Sequence, residues 1–500
     1  MKRHLLKITH LFLLVFASFF PTNTNGQSLS ISTEINERGF DYVKVMGQTE
    51  NGFYVLFSNF PFASNRDKVG FKVRKYKAAF YDFDMKSKWS LPIETPDNYT
   101  LDNITFACQK LLITYSNESE NNVRNYYLQW ITEKGSIQAN TNKNFELTFK
   151  KGSSVDKVEV STSLNRNCLL FLLHEVTNDN HQIFHLATAD SSLVFQHIKT
   201  LEIPYKPGIF APQEFDVSNA GTIALSGILF KSEKRNKGKI FDGKHQYYTF
   251  LKESNTAALN EFFLADKQIV SSSMAFDNNT NELIIAGFYF ESQATIGSGI
   301  AMQRLNPDSA YASPIVTQAF DPSKDDELKG ARNSNDANDL FNYTIKKIGV
   351  TQNGGITVLA ESFYTSEYSY FDYFTQSYYQ RVEYHYGNVL VAALHADGRI
   401  AYSKLIKKQQ NSVDDAALYS SYASMTQYDQ LYIFYNKNTS NNNELMGVSI
   451  NSQANRQQIN FGKNLDNLYI MPNEAKQVSA NELITPAFQK RRLVLAKIKL

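Results

Sequence analysis

Eight times along this chain a short, mostly apolar block of strand length recurs, and the blocks begin 58, 58, 54, 60, 73, 75 and 52 residues apart. They occupy residues 53–57, 111–115, 169–173, 223–227, 283–287, 356–360, 431–435 and 483–487. A repeat of this length is one supersecondary unit that cannot bury its own faces, so consecutive units must stack on one another. Second arms follow several of the blocks, at 126–131, 183–187, 300–305 and 389–394, and some run into turn residues such as Asp397-Gly398. Near-continuous apolar runs of this length suit strands covered on both faces. No segment carries a sustained helical stripe.

Four-stranded sheets stacked radially around an axis meet these demands, because each sheet is covered by its neighbours and only short edges remain. The expected fold is therefore all-β, a β-propeller of seven or eight four-stranded blades. Residues 493–500 read as a strand, so the ring is expected to close by pairing the two chain ends in one blade. Tandem β-sandwich domains are the competing architecture.

The region from Phe341 to Ala423 carries Asn353-Gly354-Gly355, the apolar arm at 356–360, a Tyr-rich interval, then Tyr386-Gly387-Asn388 leading to Asp397-Gly398-Arg399 and Tyr402-Ser403-Lys404. This pattern resembles blades of exported bacterial β-propeller-like repeat proteins, which are largely uncharacterised. The resemblance implies a fold and an exported location, and it transfers no active-site residue.

The N-terminus points to export independently. Lys2, Arg3 and Lys7 precede an apolar run at 11–20 that Pro21 ends, which is shorter than the ~20 residues a spanning helix needs. Small or short side chains then lead to Gly26, so residues 1–26 read as a cleavable signal peptide with Gln27 as the new terminus. Residues 27–500 form the repeat domain, with insertions near 306–342 and 363–386. The expected location is periplasmic, cell-surface-associated or secreted, with no membrane span after signal removal. The mature chain keeps 48 basic and 49 acidic residues, a balance that argues against nucleic acid as a partner.

Two cysteines in a chain of this length make no disulfide scaffold. Cys108 and Cys168 begin similar β-patterns in neighbouring repeats and are a candidate disulfide, with buried free thiols as the alternative.

Catalytic signatures are scarce. There is no Gly-x-Ser-x-Gly elbow, phosphate loop or dinucleotide fingerprint. His174-Glu175 opens like a zinc-protease motif, but Asn178 stands where the second imidazole belongs. His174, His181 and His185 could approach one another across a hairpin, though ordinary polar roles are the default, and no metal site is assigned. The acid pairs Asp82/Asp84, Asp325/Asp326 and Asp414/Asp415 read as solvated turn residues. The segment from Asp321 to Asn342 could chelate calcium but lacks the ligand spacing of an EF-hand loop; no other cofactor is implied. The basic loop from Lys231 to His245 could meet an anionic glycan or lipid surface.

Two functional classes remain. The leading one is a noncatalytic binding or scaffold protein of the cell envelope or exterior, with a glycan or an envelope protein as partner. The other is a carbohydrate-active enzyme with a carboxylate pair near the central channel. The candidate contact surface is the Tyr-rich interval, through Tyr364, Tyr368, Tyr370, Tyr373, Tyr378 and Tyr379. Tyrosine suits both sugar stacking and protein interfaces, while cross-strand packing within a long hairpin would use the same rings internally.

Overall fold

The computed structural model describes residues 27–60, 74–119, 122–139, 145–195, 198–231, 243–291, 298–309, 311–320, 342–372, 374, 376–439, 442–459, 461 and 467–500. They form eight antiparallel sheets in chain order, numbered here as blades 1 to 8. Blade 1 is typical, with strands Tyr42–Gln48, Phe53–Ser58, Tyr76–Tyr81 and Ser87–Ile93 side by side. In blade 8 the fourth strand is supplied by the other end of the chain. Ser28–Ile31 pairs with Arg492–Lys499 in a register that sets Ser28 against Lys499 and Ile31 against Ala496. The expected closure is present, and it makes the blade number eight.

The buried residues divide into eight clusters, each shared by two neighbouring blades. Blades 1 and 2 meet at Tyr54, Phe106 and Ile113, blades 4 and 5 at Ala224, Phe262 and Ile285, and blades 8 and 1 at Val43, Phe53, Ile484 and Leu495. One cluster for every interface of a closed ring of eight excludes the tandem sandwiches, which would own separate cores.

The apolar blocks of the sequence are the second strands of the eight blades, and the second arms are third strands. Both lie between neighbouring sheets, which explains why they read as unbroken apolar runs: Phe53–Ser58 and Gln182–Ala189 are buried at every position. The first strand of each blade lies innermost. In five blades it carries a β-bulge, between Val45 and Gly47, Leu101 and Asn103, Pro212 and Phe215, Ile269 and Ser271, and Ile345 and Lys347. A bulge adds twist and re-aims side chains where the innermost strands crowd the axis. At the first of these, Gly47 leaves the space that the Phe106 ring of blade 2 fills, and a Cβ there would collide with it.

Because strands alternate in direction, the turns between first and second strands lie on one face of the ring. The second-to-third turns and the connections between blades lie on the other.

Candidate functional site

On that second face blade 6 departs from its neighbours. Its middle strands, Ile356–Asp372 and Ser377–Leu394, are 17 and 18 residues long. The inner strand stops pairing at Ser362 and the outer edge stops at Glu383. From Phe363 onward the hairpin projects past the inner strand as a ribbon roughly 30 Å long at the usual rise per residue, and past Glu383 only its two strands remain.

Register sorts the aromatic side chains of this ribbon by face. Tyr364 opposes His385, Tyr368 opposes Arg381 and Tyr370 opposes Tyr379 on one side, while Phe363 opposes Tyr386 and Phe371 opposes Tyr378 on the other. The rings pair across the ribbon: Tyr364 stacks on His385 at 4.3 Å, Tyr370 on Tyr379 at 5.8 Å, and Phe371 tilts against Tyr378 at 5.0 Å. They are also open to solvent, with Tyr364 47%, Tyr368 45%, Tyr379 41% and Tyr378 77% exposed. Cross-strand packing and exposure therefore coexist on the same rings. Tyr370 is half-buried beneath Arg381, whose guanidinium lies 5.0 Å from the ring centre, donates to the Tyr370 hydroxyl at 3.1 Å and pairs with Asp414 at 3.2 Å. Tyr373 lies outside the described residues.

The ribbon stands on a buried polar network that the sequence reading missed. Glu361 and Lys408, both essentially without solvent contact, pair at 2.8 Å. Ser421 Oγ donates to Glu361 at 2.6 Å, and Gln410 Oε1 accepts from Lys408 Nζ and from the Ser421 backbone, both at 2.8 Å. Gln410 in turn donates to the Asn436 carbonyl, and the Asn436 side chain donates to Tyr419 and Ile470 carbonyls, so blades 6, 7 and 8 are tied together. A signal existed in the sequence. The position just after the apolar block is polar and buried in four blades, at Ser58, Ser116, Glu361 and Asn436.

Two carboxylates occupy the innermost strand of blade 4. Glu214 accepts from Ser273 Oγ at 3.0 Å and from the Met274 backbone at 3.2 Å, clasping blade 5. Burial pushes the Asp216 carboxyl up to about 6, against the bonds from Val217 and Ser161. Burial raises Glu214 too, and the Asp216 charge adds to it. On the third strand of the same blade, burial pushes the His245 imidazole down to about 4, and its Nδ1 lies 2.6 Å from Ser272 Oγ.

These two groups act oppositely on stability. Asp216 holds its proton longer when folded, so its contribution is present below its unfolded value near 4 and is lost as pH rises through about 6. His245 resists protonation when folded, so its contribution is present above about 6.5 and is lost as pH falls toward about 4. Each is worth up to about 3 kcal/mol at about 1.4 kcal/mol per unit. Urea unfolding at pH 4.5 and 6.5 is expected to show the Asp216→Asn protein gaining stability with pH relative to wild type, and the His245→Gln protein losing it. Equal slopes in all three would remove both assignments.

The other residues singled out from sequence have local partners. His174 opposes Phe184 and His185 opposes Leu173, so the two imidazoles point to opposite faces of blade 3 and do not converge. His174 bonds Asp156 and Gln182, each at 3.0 Å, and His185 bonds the buried Glu175 at 2.8 Å. Asp82 pairs with Lys88 at 2.8 Å, and Asp415 accepts from the Ala417 backbone at 2.8 Å, as turn carboxylates do. Cys108 and Cys168 are free, partly buried thiols, and burial raises both. Cys108 Sγ donates to the Arg166 carbonyl at 3.1 Å. Asp325/Asp326, the calcium candidate segment up to residue 341, residues 232–242 of the basic loop and the signal region lie outside the described residues.

No protein-family model and no curated protein matches the chain. Among solved structures it is similar to the WD40 domain of SCAP from fission yeast, at 8% identity and a TM-score of 0.37, over 95% of this chain and 98% of that one. It is also similar to a β-fructofuranosidase from Bombyx mori, at 8% identity and a TM-score of 0.29, over 92% and 88% of the two chains. An α-L-arabinanase from Penicillium chrysogenum is similar at 10% identity and a TM-score of 0.30, over 68% and 92%.

Proposed function

We propose that this chain is an exported, noncatalytic binding protein that captures a glycan or an envelope protein through the aromatic ribbon of blade 6. The observation that carries this reading is the exposure of Tyr364, Tyr368 and Tyr379 along one face of the ribbon. Paired rings on a rigid strand lose little conformational freedom on binding, and exposed aromatic rows of this kind suit sugar faces and protein hot spots alike. Export by the signal at 1–26 places such a surface in the periplasm, on the cell surface or outside the cell. Among the described residues no helix is long and apolar enough to cross a membrane.

The test uses mature protein recovered outside the cytoplasm, with sequencing to locate its terminus near Gln27, on arrays of glycans and envelope components. The triple variant Tyr364→Ser, Tyr368→Ser, Tyr379→Ser is expected to lose capture while its melting temperature stays nearly unchanged. Undiminished capture would remove the ribbon as the site. The catalytic alternative rests on Glu214 and Asp216. Release of reducing ends from an arrayed glycan, abolished by Glu214→Gln, would move the reading there. Against it, both carboxylates lie on one strand and burial raises both, whereas acid and base roles need environments that drive two groups apart.

A further inference from the structure

A second feature lies among the innermost strands, and it touches the ribbon only at its base, where Lys346 Nζ lies 5.4 Å from the Phe363 ring centre. The innermost strands and turns of several blades line a solvent-open cavity of about 850 Å³, a volume typical of small-molecule sites. Its charged lining residues are Arg166 from blade 3, Lys346 and Lys347 from blade 6 and Lys476 from blade 8, and no Asp or Glu lines it.

Backbone irregularities bring these cations together. In a regular strand consecutive side chains point to opposite faces. The bulge between Ile345 and Lys347 breaks that alternation, so both lysines reach the cavity. Arg166 sits in the turn between the first and second strands of blade 3 at a φ of 61°, a left-handed conformation uncommon for a non-glycine residue. Its guanidinium lies 4.9 Å from the Phe106 ring centre.

The nearest carboxylates are already committed elsewhere. Glu474 pairs with Lys44 at 3.6 Å and Glu361 with Lys408 at 2.8 Å. None of the four cavity cations forms an ion pair with a described carboxylate. The ammonium of Lys476 is held below its ordinary range by burial and by the charges of Arg166, Lys44 and Lys347, and burial lowers Lys347 as well. Like charges gathered around one cavity repel, and a multivalent anion relieves that repulsion on entering. The uncharged lining adds the polar side chains of Gln48, Ser424 and Asn473, while the Gln477 amide is already bonded to Thr426 and Ser479.

We propose that the axial cavity is a binding site for a small polyanion, a molecule bearing at least two phosphate or carboxylate groups. This site does not use the exposed rings of Tyr364, Tyr368 and Tyr379. Calorimetric titration of the mature protein with inorganic pyrophosphate, citrate and uncharged maltose, at low and high salt, tests it. Pyrophosphate or citrate is expected to bind at low salt and to weaken as salt screens the cations, and the preferred one identifies phosphate or carboxylate as the recognised group. Maltose is expected not to compete.

Lys347→Gln and Lys476→Gln are each expected to weaken binding about tenfold, the loss of roughly one charge-assisted contact. Without ligand both variants should melt no lower than wild type, because each removes a like charge, and ligand should raise the wild-type melting temperature more than theirs. The proposal is overturned if neither anion binds at about 1 mM, the weak end of specific affinity. It is overturned equally if both variants bind like wild type, or if binding is lost instead in Lys234→Gln/Lys237→Gln. The Tyr364, Tyr368 and Tyr379 variants should bind the anion normally, so failure here and failure of the capture reading are told apart.

Discussion

Glu361→Ala and Lys408→Ala are each expected to destabilise the protein by about 3–5 kcal/mol, the usual cost of leaving one charge of a buried pair behind. The two side chains have 0% and 1% exposure, so water cannot replace the missing partner. Ser421 and Gln410 would lose bonds in the same step. The double variant Glu361→Leu, Lys408→Met should recover most of the loss, because the two charges are then removed from the interior together. It should still fall short of wild type by about 1–3 kcal/mol, since the Ser421 hydroxyl keeps no acceptor. Urea unfolding of the three proteins decides the matter. Single variants within about 1 kcal/mol of wild type would show that water reaches the pair and that the network does not hold blades 6, 7 and 8 together.

The second large effect belongs to the strands between blades. Ile285 lies in the cluster shared by blades 4 and 5 and Leu170 in that shared by blades 3 and 4, both at 0% exposure. Truncation to Ala should cost about 2–5 kcal/mol at either site, through lost apolar transfer and the cavity left between two stiff sheets. Because each blade is held only by its neighbours, these losses should be similar at interfaces far apart in sequence. Leu164→Ala, at a turn position 79% exposed, is the control and should change stability little. A truncation at Ile285 as mild as the control would contradict burial of the apolar block between two sheets.

The two strands at the centre of each blade were legible because burial on both faces forces an unbroken apolar run. The outer strands were not. Lys199–Ile203 alternates buried and exposed positions, and Phe145–Thr148 does the same over four residues, too short a pattern to stand out from a loop. The innermost strands were harder still, since a bulge shifts the alternation partway through five of them. The long aromatic interval of blade 6 was visible as composition. Only register showed which rings share a face and that Arg381 clamps Tyr370.

Local pattern alone thus determined an all-β repeat fold and the hairpin most unlike the rest, because strand burial and aromatic density are properties of contiguous residues. Tertiary structure decided the count of eight, through pairing of Ser28–Ile31 with Arg492–Lys499. It also decided the ion pair of Glu361 with Lys408 and the meeting of Arg166, Lys347 and Lys476 on the axis. Those groups stand in different strands or different repeats, each flanked by residues that would suit a solvated turn or strand edge. Their chemistry arises when the strands pair and the ring closes, a relation that no local periodicity encodes.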